Sequence, residues 1–159
     1  MTCQIDPPDT DRAAWRIRQD NLPTNRIPDN LEPHEVRFYE RFLGELGQRV
    51  VLIPRNPFIP SVGRTPSNDF IWLTNGSIYC ELKANNPRYA TISEAIRRAV
   101  LKADIQGVIK NNFVIDLGQT KLTAKLQNQL ATFNQKNQRV QIRSLWVVDS
   151  EGLQKICLK

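Results

Sequence analysis

The sequence predicts a mixed α/β domain in which amphipathic helices alternate with short apolar strands. Apolar residues recur at helical spacing over residues 33–46, 91–106 and 120–136. Short apolar runs bounded by turn residues lie between these segments and after them. The predicted order is therefore helix, three strands, helix, strand, helix and C-terminal strands, and 159 residues suit one domain.

The N-terminal part is polar and interrupted by prolines. We therefore predict an extension at residues 1–31, followed by the domain at 32–159. Within the extension, residues 11–20 have the pattern of a short helix around Trp15 and Ile17.

The first helix of the predicted domain begins at Pro33 and ends before Gly47, which suits a C-terminal cap. A short buried strand is predicted at residues 49–54. The loop after it contains Pro57, Pro60 and Pro66. Proline lowers the entropic cost of ordering a loop, and such loops frequently border functional sites.

A hairpin with charged residues comes next. Asp69 opens its first strand, and Glu81-Leu-Lys83 ends the return strand after an Asn75-Gly76 turn. Since side chains alternate along a strand, Glu81 and Lys83 share one face, whereas Ile78, Cys80 and Leu82 point to the other, apolar face. Charges beside a core are costly for stability and useful for holding a divalent metal next to a cation.

The turn decides whether the two acids meet. A two-residue turn at Asn75-Gly76 would place Asp69 opposite Leu82, on the core side. A three-residue loop with Gly76 in the left-handed conformation would instead place Asp69 opposite Glu81. We predict the second arrangement, or a bend before residue 70 with the same effect.

A helix follows the hairpin. Thr91 and Glu94 resemble a capping box that opens a helix reaching to about Gln106. Further elements are predicted in the order strand, helix, strand and strand, at residues 113–117, 120–136, 140–148 and 153–158.

Positive charge is concentrated after the first helix: residues 1–45 carry a net charge of −3, and residues 46–159 carry +9. Such a field favours a polyanion, and nucleic acid is the commonest one. A solvated basic face would explain the charge equally well. The candidate nucleic-acid-binding residues are cations in two predicted helices: Arg97, Arg98, Lys102, Lys121 and Lys125.

The sequence lacks the patterns typical of zinc-binding, membrane-spanning and secreted proteins. Three separated cysteines and one histidine, His34, do not give zinc-ligand spacing, and Cys80 is predicted to fill a core. No apolar run approaches the roughly 18 residues of a membrane span. The first residues also lack the pattern of a secretory signal. We therefore expect a cytoplasmic site of action and no membrane segment.

The motifs together resemble those of the PD-(D/E)xK nuclease superfamily, which has the restriction-endonuclease-like fold. The likeness is closer to C-terminal nuclease domains of contact-dependent growth inhibition and other polymorphic toxins. It covers about residues 33–118 and departs in having two residues, not one, between Pro66 and Asp69, and in the elements after residue 118. The matching segments are Glu45-Leu-Gly47, residues 50–54, Thr65-Pro-Ser-Asn-Asp69, Glu81-Leu-Lys83, Ile96-Arg-Arg-Ala-Val-Leu-Lys102 and Val114-Ile-Asp-Leu117.

The resemblance implies a metal-dependent endonuclease. Asp69, Glu81 and the backbone carbonyl of Leu82 would bind Mg²⁺ or Mn²⁺. Lys83 would position the attacking water and offset charge in the transition state.

The resemblance also implies a further carboxylate from the first helix. Glu35 and Glu40 both qualify by position. Glu35 is slightly favoured because it lies near the helix start, where an acid also complements the helix dipole.

The same resemblance favours a toxin that cuts transfer RNA, with DNA as the other possible substrate. A toxin implies a cognate immunity protein, expected to be acidic where it meets the basic surface. The chain would then be either a fragment of a larger toxin or a protein acting where it is made. A DNA repair or mobile-element endonuclease of the same fold and a non-catalytic nucleic-acid-binding domain are the alternatives.

Overall fold

The computed structural model describes residues 5–159, which form a mixed sheet with helices on both faces. The helices of this part are α1 (Arg12–Asp20), α2 (Pro33–Glu40), α3 (Tyr89–Ile105), α4 (Ala124–Ala131) and α5 (Phe133–Lys136). The strands are β1 (Val50–Leu52), β2 (Phe58–Ile59), β3 (Gly63–Arg64), β4 (Phe70–Trp72), β5 (Ile78–Ala84), β6 (Asn112–Asp116), β7 (Ser144–Asp149) and β8 (Gly152–Ile156). The predicted mixed α/β class is confirmed.

Six strands form the main sheet in the order β1-β4-β5-β6-β7-β8. The β1, β4 and β5 strands pair antiparallel, β5, β6 and β7 pair parallel, and β8 returns antiparallel to β7. The β2 and β3 strands form a separate two-stranded hairpin. Strand β5 therefore joins the antiparallel half of the sheet to the parallel half.

Two hydrophobic cores lie on opposite faces of this sheet. Val114 belongs to the core under α2, whereas its neighbours Phe113 and Ile115 belong to the core under α3 and α4. The core under α2 is aromatic: the rings of Phe42 and Trp72 lie 5.1 Å apart between centroids in an edge-on arrangement. Such pairs add specific geometry to the burial of large apolar surfaces.

The helices and strands of the sequence prediction are present, with differences at their ends. The helix predicted over residues 33–46 continues beyond α2 as a π-helical turn at Arg41–Glu45, and Gly47 follows with a φ of 64°. The predicted helix at 120–136 is divided into α4 and α5 at Thr132. The predicted strand at 140–148 begins only at β7, and the loop after β1 contains the unpredicted β2–β3 hairpin.

The predicted capping box at Thr91 is wrong. Helix α3 begins one turn earlier, at Tyr89, so Thr91 lies inside its first turn. Glu94 instead forms ion pairs with Arg97 and Arg98, at 3.0 Å and 2.9 Å. Side chains three and four residues apart share one side of a helix, which explains this pairing.

The predicted extension packs onto the domain over its described part, residues 5–31. Trp15 of α1 is 2 % exposed, its indole N–H donates to the carbonyl of Pro8, and the Arg37 guanidinium of α2 lies 4.8 Å from its ring centroid. Leu22 and Ile27 join the core under α2. The extension therefore covers part of the core under α2.

Replacing Trp15 with alanine tests this contribution. We expect Trp15→Ala to lower the free energy of unfolding by about 3–5 kcal/mol, because it removes a buried indole and leaves a cavity. Ile17 lies on the same helix but is 63 % exposed. Ile17→Ala is the matched control and should change stability by less than about 0.5 kcal/mol in urea unfolding. Equal unfolding midpoints for the two variants would show that the extension does not stabilise the domain.

Candidate active site

The register of the β4–β5 hairpin brings the two acids together. Phe70 pairs with Cys80 and Trp72 with Ile78. Asp69, the residue before this ladder, bonds to Cys80 and Leu82 on either side of Glu81 and therefore lies beside Glu81. This register is the predicted one. The loop is longer than predicted, because residues 73–77 include a 3₁₀ turn before Gly76, which has a φ of 70°. The chain also bends at residue 69, just before β4.

Asp69 is fixed by two hydrogen bonds to β5. Its backbone N–H donates to the Cys80 carbonyl at 2.9 Å, and its carboxylate accepts from the Leu82 N–H at 2.7 Å. Leu82 lies beyond the end of the β4–β5 ladder, so its N–H has no backbone partner in β4. The Asp69 carboxylate accepts a hydrogen bond from that N–H instead. Because the N–H and C=O of one strand residue point the same way, the Leu82 carbonyl lies on the side of β5 that Asp69 occupies.

Glu81 is a buried acid between two lysines. It is 5 % exposed. Lys83 Nζ lies 3.2 Å from its Oε1, and Lys110 Nζ lies 2.9 Å from its Oε2. The contact to Oε2 is an ion pair without hydrogen-bond alignment, so Oε2 is buried without an aligned hydrogen-bond donor in the described residues. A buried carboxylate of this kind needs compensating positive charge.

The environment of Asp69 favours its neutral form. Burial raises the pKa of the Asp69 carboxyl to about 7, and the Glu81 carboxylate adds to the increase. The Leu82 amide and Lys110 act in the opposite direction, and the Glu35 charge raises the pKa of Asp69 further. Perturbed pKa values of this kind are concentrated at functional sites.

A pocket of 530 Å³ opens over Asp69, Glu81 and Lys83. Its wall on α3 is formed partly by Ala95 and Ala99, whose small side chains leave space above the acids. Positive side chains outnumber the two carboxylates, as expected for a site that binds an anion. These cations come from five parts of the chain and are Arg55, Arg64, Lys83, Arg98, Lys102 and Lys110.

The two candidate glutamates of the first helix differ in position. Glu35 lies with Asp69 and Tyr39 around a small cavity on the α2 side. It accepts a hydrogen bond from the Glu32 N–H at 3.0 Å. Glu40 instead forms a short ion pair with Arg18 of α1, which is a structural role. The favoured choice, Glu35, is therefore beside the acids, and Glu40 is not.

The predicted basic residues also divide into two groups. Arg98 and Lys102 line the pocket. Arg97 is held by Glu94, Lys121 forms an ion pair with Glu151 at 3.2 Å, and neither they nor Lys125 line it. Two of the five candidate nucleic-acid-binding residues therefore line the pocket, and the other three do not.

Three cations of the pocket were not identified from the sequence: Arg55, Arg64 and Lys110. Arg55 precedes the β2–β3 hairpin and Arg64 ends β3. Both lie in the proline-rich loop, which was the one sequence feature that indicated a site border here. Lys110 stands alone in the loop between α3 and β6, where no periodicity or motif marks it. Only the folded chain brings it to Glu81.

The site can supply only some of the ligands of a Mg²⁺ or Mn²⁺ ion, and waters or substrate would have to supply the others. Among residues 5–159 no group of three or more His, Cys, Asp and Glu side chains is arranged to hold a metal. Asp69, Glu81 and the Leu82 carbonyl nevertheless offer the oxygen donors that Mg²⁺ prefers, and this ion is commonly bound by one or two carboxylates, waters and substrate phosphate. The buried Glu81 Oε2 is such a donor.

Comparisons with known proteins leave the function to be argued from this site, since no family model, curated protein or solved structure matches the chain. Within residues 5–159, no helix combines the length and the apolar character needed to cross a membrane.

The raised pKa of Asp69 predicts a pH dependence of stability. The ordinary value is 3.8 and the folded value is about 7. Between these values the folded state binds a proton that the unfolded state does not, so the free energy of unfolding decreases as the pH rises through this window. Asp69→Asn removes the titration and should be more stabilising, relative to wild type, at pH 8 than at pH 5. Urea unfolding in EDTA measures this, and a pH-independent difference would contradict it.

Proposed function

We propose that this protein is a metal-dependent endonuclease that hydrolyses phosphodiester bonds of nucleic acid. The observation that carries the proposal is the position of Asp69 beside Glu81 and Lys83, at the base of a pocket rich in cations. Two acids can hold a catalytic metal ion, and a lysine can stabilise the negative charge that develops on the phosphate. The surrounding positive charge suits a polyanionic substrate.

The order of elements supports the same proposal. Helix α2 precedes the β1-β4-β5 meander, and α3 leads to β6, which pairs parallel to β5. We propose that this part is a PD-(D/E)xK-like core to which α4, α5, β7 and β8 have been added. The motif residues lie on β5 and just before β4, where that assignment requires them.

Each residue of the site has a role in this proposal. Asp69, Glu81 and the Leu82 carbonyl hold Mg²⁺ or Mn²⁺, which supplies an acidified water and neutralises charge on the phosphate. Lys83 donates hydrogen bonds to the attacking water or to a phosphate oxygen, where negative charge increases in the transition state. Lys110 orients the Glu81 side chain through their ion pair.

Glu35 contributes more indirectly. Its charge raises the pKa of Asp69, because the two carboxylates repel each other across the small cavity that both residues line. We propose that Glu35 helps to hold the cation or a water bound to it.

Transfer RNA is the substrate to test first, since the toxin domains that the motifs resemble favour it. A toxin of this kind would act in the cytoplasm and would be neutralised by an acidic immunity protein that covers the pocket. Cleavage of DNA alone would instead favour a DNA endonuclease. Binding without cleavage would favour a non-catalytic domain.

Removal of a site residue should abolish cleavage without unfolding the protein. Glu81→Gln and Lys83→Ala should each lower the rate of transfer-RNA or plasmid cleavage by at least about 100-fold, because the first variant loses an anionic metal ligand and the second loses a cation that stabilises the transition state. EDTA should abolish cleavage by the wild type, and Mg²⁺ should restore it.

Glu151→Gln is a suitable control, because Glu151 forms an ion pair with Lys121 away from the pocket. It should cleave like the wild type. If purified wild-type protein with Mg²⁺ or Mn²⁺ cleaves neither RNA nor DNA, or if Glu81→Gln remains fully active, the proposed function is wrong.

The pocket cations should determine affinity for the substrate backbone. We expect Lys102→Gln to weaken binding and to reduce the slope of log K against log salt by about one, as for the loss of one phosphate contact. Lys121→Gln removes the same charge outside the pocket and should keep the wild-type slope. Fluorescence anisotropy in EDTA at several salt concentrations measures both, and equal losses for the two variants would indicate a diffuse basic surface.

A further inference from the structure

The β2–β3 hairpin exposes apolar side chains on both of its faces. Phe58 and Ile59 are adjacent in β2 and therefore point to opposite faces, yet they are 62 % and 49 % exposed. Val62, in the turn, is 67 % exposed. The hairpin pairs with no other strand in the described part of the chain. Its apolar residues are thus not explained by packing within the domain.

The base of the hairpin is part of the pocket wall. Arg55 before the hairpin, Arg64 at the end of β3 and residues 65–67 after it line the pocket with Asp69 and Glu81. The Asn56 side chain donates to the carbonyl of Thr65 at 3.0 Å and so closes the base. The hairpin therefore projects from the rim of the candidate active site.

The strand register sets Phe58 next to a pocket cation. Phe58 pairs with Arg64, so the two side chains lie on the same face of the hairpin, and Arg64 lines the pocket. Directly opposed cross-strand residues have Cβ atoms about 5 Å apart. A phosphate bound by Arg64 would then place its own nucleotide within reach of the Phe58 ring.

We infer that Phe58 is a stacking platform for an unpaired base of the substrate, next to the phosphate that the pocket binds. This inference rests on the proposed function and specifies its substrate class: single-stranded nucleic acid, or a loop or end with unstacked bases. Aromatic rings beside a positively charged groove bind single strands because every base offers a π face. In an intact duplex the bases are stacked on each other and cannot cover the ring.

Binding of defined oligonucleotides tests the inference without requiring cleavage. The probes are a fluorescein-labelled 12-nucleotide single-stranded RNA, its DNA equivalent and the corresponding duplexes, measured by anisotropy with the full chain in EDTA. We expect Phe58→Ala to weaken single-strand binding by about 10- to 100-fold, the usual loss for one stacked base, and to leave duplex binding unchanged. Phe58→Tyr should retain affinity.

Two further variants separate stacking from simple apolar contact. Phe58→Leu keeps an apolar side chain without an aromatic face and should bind single strands as weakly as Phe58→Ala. Val62→Ala removes an equally exposed apolar group from the same hairpin and should bind like the wild type. Because Phe58 is exposed, its replacement should also leave the urea unfolding midpoint unchanged.

Wild-type affinity in Phe58→Ala, equal losses on duplex and single strand, or full affinity in Phe58→Leu would each overturn the inference. The first outcome is also the one expected if the hairpin serves a protein partner instead. If the single-strand result is as expected but no cleavage occurs with Mg²⁺ or Mn²⁺, the base-binding role stands and the nuclease proposal fails. If cleavage occurs and Phe58→Ala retains wild-type affinity and kcat/KM, the nuclease proposal stands and the base-binding role fails.

Discussion

The register between β4 and β5 is the constraint on which the site and much of the fold depend. A shift by one residue would turn Glu81 toward the aromatic core and Cys80 away from it. The observed register keeps Cys80 fully buried in that core and sets Glu81 beside Asp69. Because β5 also pairs with β6, the same alignment determines where the parallel half of the sheet begins. Packing and chemistry therefore select the same arrangement.

The acids are held at an electrostatic cost that the surrounding residues only partly offset. Lys83 and Lys110 compensate Glu81, whereas Asp69 receives one amide and has its pKa raised to about 7. Such an arrangement is unfavourable for stability alone. In the proposed function, a bound cation would relieve the repulsion between the two acids.

Helix α3 and the β2–β3 hairpin contribute different kinds of side chain to the pocket. Helix α3 contributes small residues that leave space and cations that attract phosphate. The β2–β3 hairpin contributes Arg64 to the same pocket and carries the exposed Phe58 ring on the face that Arg64 shares. In the proposed complex, the nucleic-acid backbone and an unpaired base would therefore contact separate surfaces. The extension, through Trp15 and the pairing of Arg18 with Glu40, instead supports the scaffold behind the site.

The sequence by itself determined the alternation of helices and strands, the burial of Cys80 and the placement of Glu81 and Lys83 on one strand face, because these follow from local periodicity. It left two registers open at the Asn75-Gly76 turn, and both glutamates of α2 remained candidates. Only the tertiary structure selected Asp69 beside Glu81, separated Glu35 from Glu40, and brought in Lys110 and Arg64. These choices depend on contacts between segments distant in the chain, and no local pattern of residues encodes such contacts.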